Sequence, residues 1–464
     1  MSEYLDKVKS FIKEEAISFG ATFNPDDKSK NSFLFRDNTR DLEQSAFFGF
    51  IEPDEPVSGP YHDFSLVVFP NSSENNWLIG LGVGTLGFKN DYNLALTPGL
   101  RRQFFKIVDD NGYCKSNFAD IETSLPASFK KKESLEKLKK TLSSYTNFIS
   151  VAQILENPLG EEEKKIISAF VASYAKIREW PTNKTQRDAV SAALKNFESS
   201  QIDDELEVAS LIEQRKYIIL EGPPGTGKTR LSKNISNQIK ADKIFFTQFH
   251  AEITYSDFVY GIKPSLSDNQ SVTYEGNEGS LIQAIKYAQE NQNQKVILII
   301  DEINRANLSN VLGPVFYLFE YKQDNDEAEL EIAPGLKINK MPENLYVIGT
   351  MNTADRSLAV VDFALRRRFA WYQVYPQLIN NENFMKEDFL SFKQIFDWYA
   401  NSEELQLQPG QGYFLADSED EMLKRIRYEL YPLINEYLRE GLLTNAKEEF
   451  NKYFLERIKL PLDI

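Results

Sequence analysis

The residues with the clearest chemical purpose are Gly222-Pro223-Pro224-Gly225-Thr226-Gly227-Lys228-Thr229. They fit G-x-x-x-x-G-K-[ST], in which backbone N–H groups and a helix N-terminus surround phosphate oxygens. The glycines let phosphate approach the backbone closely. In that arrangement Lys228 neutralises the β- and γ-phosphates and Thr229 ligates Mg²⁺. The alternative is a chance Gly-rich turn. The apolar strand Tyr217-Ile218-Ile219-Leu220 before it and a helix-like stretch after it argue against that.

A second candidate is KVILIIDE, residues 295–302, where an apolar strand delivers Asp301 and Glu302 to the carboxyl edge of a sheet. Ligands bind at that edge in open α/β folds. Asp301 would hold the Mg²⁺ shell, and Glu302 would orient or deprotonate a water, which favours hydrolysis. Alone, such a run is also an ordinary strand end with solvated acids. It gains weight from the phosphate loop, whose Lys228 lies 73 residues upstream of Asp301. Asn352, after the apolar run Leu345–Gly349, falls at the same edge and could bond both γ-phosphate and water. By itself, MNTADR also reads as a turn. Arg366, Arg367 and Arg368 read equally well as a solvated face or as containing an arginine finger for a neighbouring subunit's site.

These residues need a particular scaffold. From about residue 181, strand-like and helix-like stretches alternate, the pattern of a parallel sheet covered on both faces. After about Tyr375 strand signals fade and amphipathic helices such as EMLKRIRYELYPLINEYLREGLL dominate. The first 145 residues read as α+β, with strands FSLVVF and WLIGLGVG, and the spacing over 146–180 is helical. The expected domains are therefore 1–145 (α+β), 146–180 (helical linker), 181–375 (α/β core) and 376–464 (helical lid).

Composition sets limits. The 464 residues carry 53 Lys+Arg against 69 Asp+Glu, a net charge of −16, which excludes a wholesale basic coat for nucleic acid. A single cysteine, Cys114, rules out a disulfide within the chain, and two distant histidines, His62 and His250, make a His-rich metal site improbable. Neither a signal peptide nor a transmembrane run is evident, so a cytoplasmic protein without membrane contact is expected. Charge is uneven: residues 1–180 hold 22 basic and 26 acidic side chains, residues 181–464 hold 31 and 43.

The set GPPGTGKT, TQFHAEITYSDFVYGIKP, LIIDEINRANLSNVLGPVFYLFE and LYVIGTMNTADRSLAVVDFALRRRF resembles the McrB family of AAA+ NTPases over roughly residues 180–440. That family is the motor of McrBC-type modification-dependent restriction systems. The resemblance implies a ring, usually hexameric, with nucleotide held between subunits. It implies GTP as the nucleotide, with ATP as competitor, and Mg²⁺. By resemblance Gly222 to Thr229 and Asp301 bind the nucleotide, and Thr229 and Asp301 the metal. Glu302, Asn352, Asp355, Arg356, Arg366 and Arg367 form the catalytic set. Arg305 is implied to reach an adjacent site. A McrC-type endonuclease subunit is the implied partner, and no nuclease activity is expected in this chain. GQGYF, residues 410–414, is similar to the family's GHSYF, with Gln411 and Gly412 replacing His and Ser.

The N-terminal region would recognise DNA, modified in this family. Arg101, Arg102, Lys106, Lys115 and the cluster Lys130–Lys140 could touch phosphate, and Trp77, Phe88, Tyr92, Phe104 and Phe105 could stack on a base. They could equally be core and solvated face. Gly82-Val83-Gly84-Thr85-Leu86-Gly87 satisfies G-x-G-x-x-G, but no helix start follows, so a glycine-rich strand or hairpin is expected. Pro53-Asp54 and Glu162-Glu163-Lys164 are only fragments of a nuclease pattern. Thr185-Gln186 suggests either an adenine contact or a helix cap. Competing readings are an AAA+ remodeller of protein, a superfamily-1 helicase and a nucleotide-gated scaffold.

Overall fold

A computed structural model describes residues 1–23, 32–56, 58–197, 204–266, 272–320, 330–333, 335–354 and 363–463. Two compact units emerge: Met1–Ser200 with Asp397–Asn401, and Gln201–Phe396 with Ser402–Ile464.

The first unit is built on an antiparallel sheet of β1 (Leu34–Asn38), β2 (Phe47–Ile51), β3 (Phe64–Phe69), β4 (Trp77–Val83), β5 (Tyr113–Cys114) and β6 (Ile149–Leu155), in the order β1-β2-β3-β4-β6-β5. Strands β2, β3, β4 and β6 are buried throughout because both faces of the sheet are covered. Side chains alternate between faces along a strand. Trp77, Ile79, Leu81 and Val83 accordingly join a core with the helices Ser2–Ser18 and Glu161–Ile177. Leu78, Val67 and Phe69 face Leu125, Phe129, Leu135, Leu138 and Leu142 instead.

Three boundaries differ from expectation. Residues 146–180 are no linker: β6 pairs with β4 and β5, and the helix Glu161–Ile177 buries Phe170, Val171 and Tyr174 in the N-terminal core. The helix Lys184–Lys195, expected in the α/β core, adds Val190 and Leu194 to that same core. Within the expected lid, Asp397–Asn401 cluster with the first unit, because Trp398 is buried in its core and Arg102 donates to the Asp397 and Ala400 carbonyls at 2.8 Å each.

The second unit contains the expected parallel sheet. Its strands are β7 (Tyr217–Gly222), β8 (Lys243–Gln248), β11 (Val296–Asp301), β14 (Leu345–Asn352) and β15 (Ala370–Gln373), ordered β15-β7-β14-β11-β8. Two hairpins interrupt the alternation, β9 (Tyr260–Leu266) with β10 (Val272–Glu278) and β12 (Leu330–Ala333) with β13 (Leu336–Ile338). Ile219, Leu298, Ile300 and Val347 pack on one face against the helix Ser280–Glu290. Ile218, Leu220, Ile297 and Ile348 pack on the other against the helix Lys228–Gln238. Central strands covered on both faces read as continuous apolar runs, which is why VILII was visible in the sequence. Beyond β15 the named elements are helical, among them Lys386–Tyr399, Tyr431–Arg439 and Lys447–Ile458. Their packing centres on Phe392, in ring contact with Phe414, Phe450, Tyr453 and Phe454. Among the described residues no helix is long and apolar enough to cross a membrane.

Candidate nucleotide-binding site

The phosphate loop leaves β7 at Gly222 and turns into the helix Lys228–Gln238 through Gly227, whose φ of +83° lies in the left-handed region that glycine tolerates. Pro223 and Pro224 carry no N–H, so the loop's free amides begin at Gly225. The carbonyls of Gly222 and Pro223 each accept from the Lys228 ammonium at 2.8 Å. Lys228 is thus buried against the loop.

The sheet order explains how the acidic strand reaches this loop. β14 lies between β7 and β11, and at its end Asn352 pairs in register with Gly222. Thr350, two residues earlier on β14, donates to Asp301 Oδ1 at 2.6 Å, and Thr229 donates to the same oxygen at 2.7 Å. Thr229 and Asp301, expected together from the sequence, therefore meet directly. Hydroxyl and carboxylate oxygens suit a hard cation such as Mg²⁺, which keeps several waters and takes phosphate oxygens as further ligands. Among the described residues no group of three or more His, Cys, Asp or Glu is placed to hold a metal ion.

Glu302 adopts φ of +53°, a left-handed conformation uncommon outside glycine, and its N–H donates to Thr350 Oγ1 at 3.0 Å. The turn points its carboxylate out of the strand path, where it forms an ion pair with Arg305. Arg305 thus meets Glu302 within its own chain. Asn304 donates to the Asn352 carbonyl at 3.2 Å while its own Oδ1, buried, has no hydrogen-bond partner. Thr353 N–H returns to the Gly222 carbonyl at 3.0 Å.

Arg366 and Arg367 are exposed on the helix Phe363–Arg368. Arg366 lies 4.7 Å over the Trp371 ring, and Arg367 comes within 3.8 Å of Glu320. Arg368 turns inward and binds Glu320 at 2.7 Å. Glu221, on β7, has its carboxyl pushed up by burial, with Arg366 opposing the shift. Asp355 and Arg356 lie outside the described residues.

Gln411 was noted only as a departure from the family's GHSYF pattern, and Thr350 and Asn304 were missed by sequence reasoning. Only Thr350 had a usable signal: two residues before Asn352, it shares that residue's side of the strand. Gln411, 8% exposed, donates from Nε2 to the Thr226 carbonyl at 2.8 Å. Gly410 and Gly412 donate backbone N–H groups to the Pro224 and Gly225 carbonyls at 2.9 and 2.8 Å.

In the N-terminal unit many of the named candidates are engaged internally. Trp77 and Phe104 are core residues, Lys115 donates to the Asp120 and Asn147 carbonyls, and Arg101 binds the Lys115 carbonyl at 2.9 Å. Tyr92 and Phe105 are exposed, as are Lys106, Lys131, Lys137, Lys139 and Lys140. Phe88 is half-buried and packs edge-on against Phe64 and Tyr92. The GVGTLG stretch begins inside β4, as a glycine-rich strand should. Gln186 closes a capping box with Asn183, so the cap reading of Thr185-Gln186 is the one realised. Asp54 pairs with Lys89, and Glu161 and Glu162 pair with Lys164 and Lys165 along a helix.

Residues 217–369 match the family described as AAA domain (dynein-related subfamily). The chain is 36% identical to the "Type IV methyl-directed restriction enzyme EcoKMcrB subunit" of Escherichia coli (strain K12), over 42% of this chain and 43% of that protein. It is 28% identical to the "Type II restriction enzyme BsuMI component YdiS" of Bacillus subtilis (strain 168), over 33% of this chain and 55% of that one. The matches thus span about half the length of these relatives. Among solved structures, a putative ATPase from Cytophaga hutchinsonii aligns with TM-score 0.27 and 16% identity, over 53% of this chain and 68% of that chain. A point mutant of Thermotoga maritima RuvB aligns with TM-score 0.27 and 15% identity, over 51% of this chain and 75% of that chain. Scores this low add nothing to the fold.

Proposed function

We propose, for a chain that is a McrB-family AAA+ protein, that it hydrolyses GTP in preference to ATP and drives a modification-dependent DNA restriction complex. The observation that carries nucleotide hydrolysis is the meeting of Thr229 and Asp301 at 2.7 Å beside the phosphate loop that holds Lys228, while the choice of GTP and the restriction role rest on the likeness to the McrB subunit.

Bound nucleotide with Mg²⁺ supplies the phosphoanhydride to be cleaved and a cation that neutralises developing charge. Lys228 exchanges its loop carbonyls for β- and γ-phosphate oxygens. Thr229 and Asp301 would hold the cation. Glu302 orients a water and takes its proton, and Asn352 bonds the water and the γ-phosphate. Asp355 and Arg356 support Asn352. Arg366 and Arg367, exposed on the chain's own surface, act in a neighbouring subunit's site, which calls for a ring, hexameric in this reading. The partner is a McrC-type endonuclease. DNA, modified, is bound by the N-terminal unit, for which the exposed lysines 131, 137, 139 and 140 are candidates.

The test is steady-state hydrolysis of GTP and ATP by the full chain, with and without a McrC-type subunit, alongside binding to methylated and unmethylated DNA. Partner-stimulated GTP hydrolysis with salt-sensitive DNA binding supports the proposal. A chain that ignores DNA of every modification state and captures a protein instead is a protein remodeller.

A further inference from the structure

Three donors from one short segment reach three consecutive carbonyls of the phosphate loop. Gly410 N–H bonds Pro224 O at 2.9 Å, Gly412 N–H bonds Gly225 O at 2.8 Å, and Gln411 Nε2 bonds Thr226 O at 2.8 Å. The peptide bonds among the described residues are trans, so each carbonyl of the loop points opposite to the N–H of the following residue. Holding the carbonyls of 224, 225 and 226 on one side therefore turns the N–H groups of Gly225, Thr226 and Gly227 to the other. Convergent backbone N–H groups are what an anion-binding nest requires. The approach is close: a Cβ added at Gly410 would overlap the backbone of Gly225 and Thr226, and the Tyr413 ring occupies the space beside Gly225.

The same segment has two further anchors. Gln411 Oε1 accepts from Gln377 N–H at 3.3 Å, on the stretch by which the chain leaves the sheet after β15. The Gln406 carbonyl accepts from Thr353 Oγ1 at 2.9 Å, immediately after Asn352. One buried amide thus bridges the phosphate loop and the start of the helical region. The segment around it also touches the turn that follows the sensor-type asparagine.

We propose that Gln411 is a positioning residue that presets the phosphate loop for nucleotide and couples its occupancy to the 375–377 connection. This rests on the nucleotide-site reading above. It acts through the loop backbone and touches no reacting atom. Removing the side-chain donor loosens the Thr226 peptide and breaks the bridge to Gln377, leaving Lys228, Asp301 and Glu302 in place.

The experiment compares the full chain with Gln411→Ala and Gln411→Glu. Gln411→Glu keeps the shape and the oxygen that accepts from Gln377, but turns a carboxylate oxygen instead of a donor toward the Thr226 carbonyl. Fluorescent GTP and ATP titrations, saturated hydrolysis rates and hydrogen exchange are measured with and without nucleotide. Losing the bond to Thr226 predicts a rise of at least about fivefold in apparent KM for either variant, since Gln411→Ala also loses the bond from Gln377 and Gln411→Glu adds a carboxylate beside the loop. Saturated turnover should stay within about twofold of the original. In the unaltered chain nucleotide should slow exchange at 222–229 and also at 375–379. In the variants protection at 222–229 should persist and that at 375–379 should be lost. Unchanged KM with intact protection at 375–379 overturns the proposal, as does a lowered melting temperature with no change in KM. Failure of the unaltered chain to bind either nucleotide would instead remove the nucleotide-site reading, and this proposal with it.

Discussion

The two units handle similar residue types in opposite ways. In the α/β unit, Asp301, Glu302 and Asn352 stand where the parallel strands β11 and β14 end, and Thr229, at the start of the helix after the phosphate loop, meets Asp301 there. In the N-terminal unit, charged residues lie inside the fold and bind one another. Arg178, with 9% of its side chain exposed, pairs with Glu52 and with Asp91, whose Oδ1 and Oδ2 accept from it at 3.0 and 2.8 Å. Asp63, fully buried, accepts backbone N–H groups from Lys89, Asn90 and Asp91. A charge at a strand end can await a ligand, whereas a charge enclosed by its own fold maintains that fold.

The sharpest way to break this contrast is to exchange the expected phenotypes. Arg178→Met leaves the buried Asp91 and the half-buried Glu52 without their cation and should cost the N-terminal unit about 3–5 kcal/mol. Thermal unfolding would report that loss, while saturated nucleotide hydrolysis by the α/β unit should hold at a temperature where both units remain folded. A loss of turnover without loss of stability would mean that Arg178 belongs to function. Lys228→Ala should behave inversely, weakening nucleotide binding about a hundredfold, as expected when several charge-assisted hydrogen bonds vanish. Its unfolding curve and its DNA binding should barely move.

Finer tests stay within the N-terminal unit. Burial pushes the Cys114 thiol up to about 11, so at pH 8 it holds about a hundredth of the thiolate of an ordinary cysteine. Each remaining thiolate is more nucleophilic, so alkylation in the folded chain should run about tenfold slower than in denaturant. Rapid labelling in the folded state would place Cys114 outside the packed unit. The smallest effect is expected from Lys139→Glu combined with Lys140→Glu. If these exposed lysines meet phosphate, DNA affinity should fall a few-fold (about threefold) for every sequence, and the salt dependence should flatten. Unchanged affinity and salt slope would assign them to a solvated face.

The same contrast accounts for what could be read from the residues alone. A phosphate loop needs glycine, lysine and threonine at fixed spacing, and a doubly covered strand needs an uninterrupted apolar run, so both show in a short window. Thr350 and Asn304 gain their roles only when β14 is inserted between β7 and β11, an order no local pattern specifies. Gln411 meets Thr226 across 185 residues of chain. Strand β6 was misread because Gln153 interrupts ISVAQIL. The structure buries that glutamine by having its amide exchange hydrogen bonds with Asp109 at 3.1 and 2.7 Å. The aromatics of the N-terminal third were ambiguous because a sheet covered on both faces uses Phe and Trp as core, and the sequence cannot tell such rings from stacking platforms.

The central claim is that the α/β unit cleaves nucleotide with Glu302 as the group that activates water. Its most direct test is Glu302→Gln in the full chain with Mg²⁺ and GTP or ATP, following bound nucleotide and released phosphate together. Loss of a general base predicts turnover lower by about 10²–10⁴-fold while nucleotide stays bound at the level of the unaltered protein. Normal phosphate release from Glu302→Gln would contradict the account.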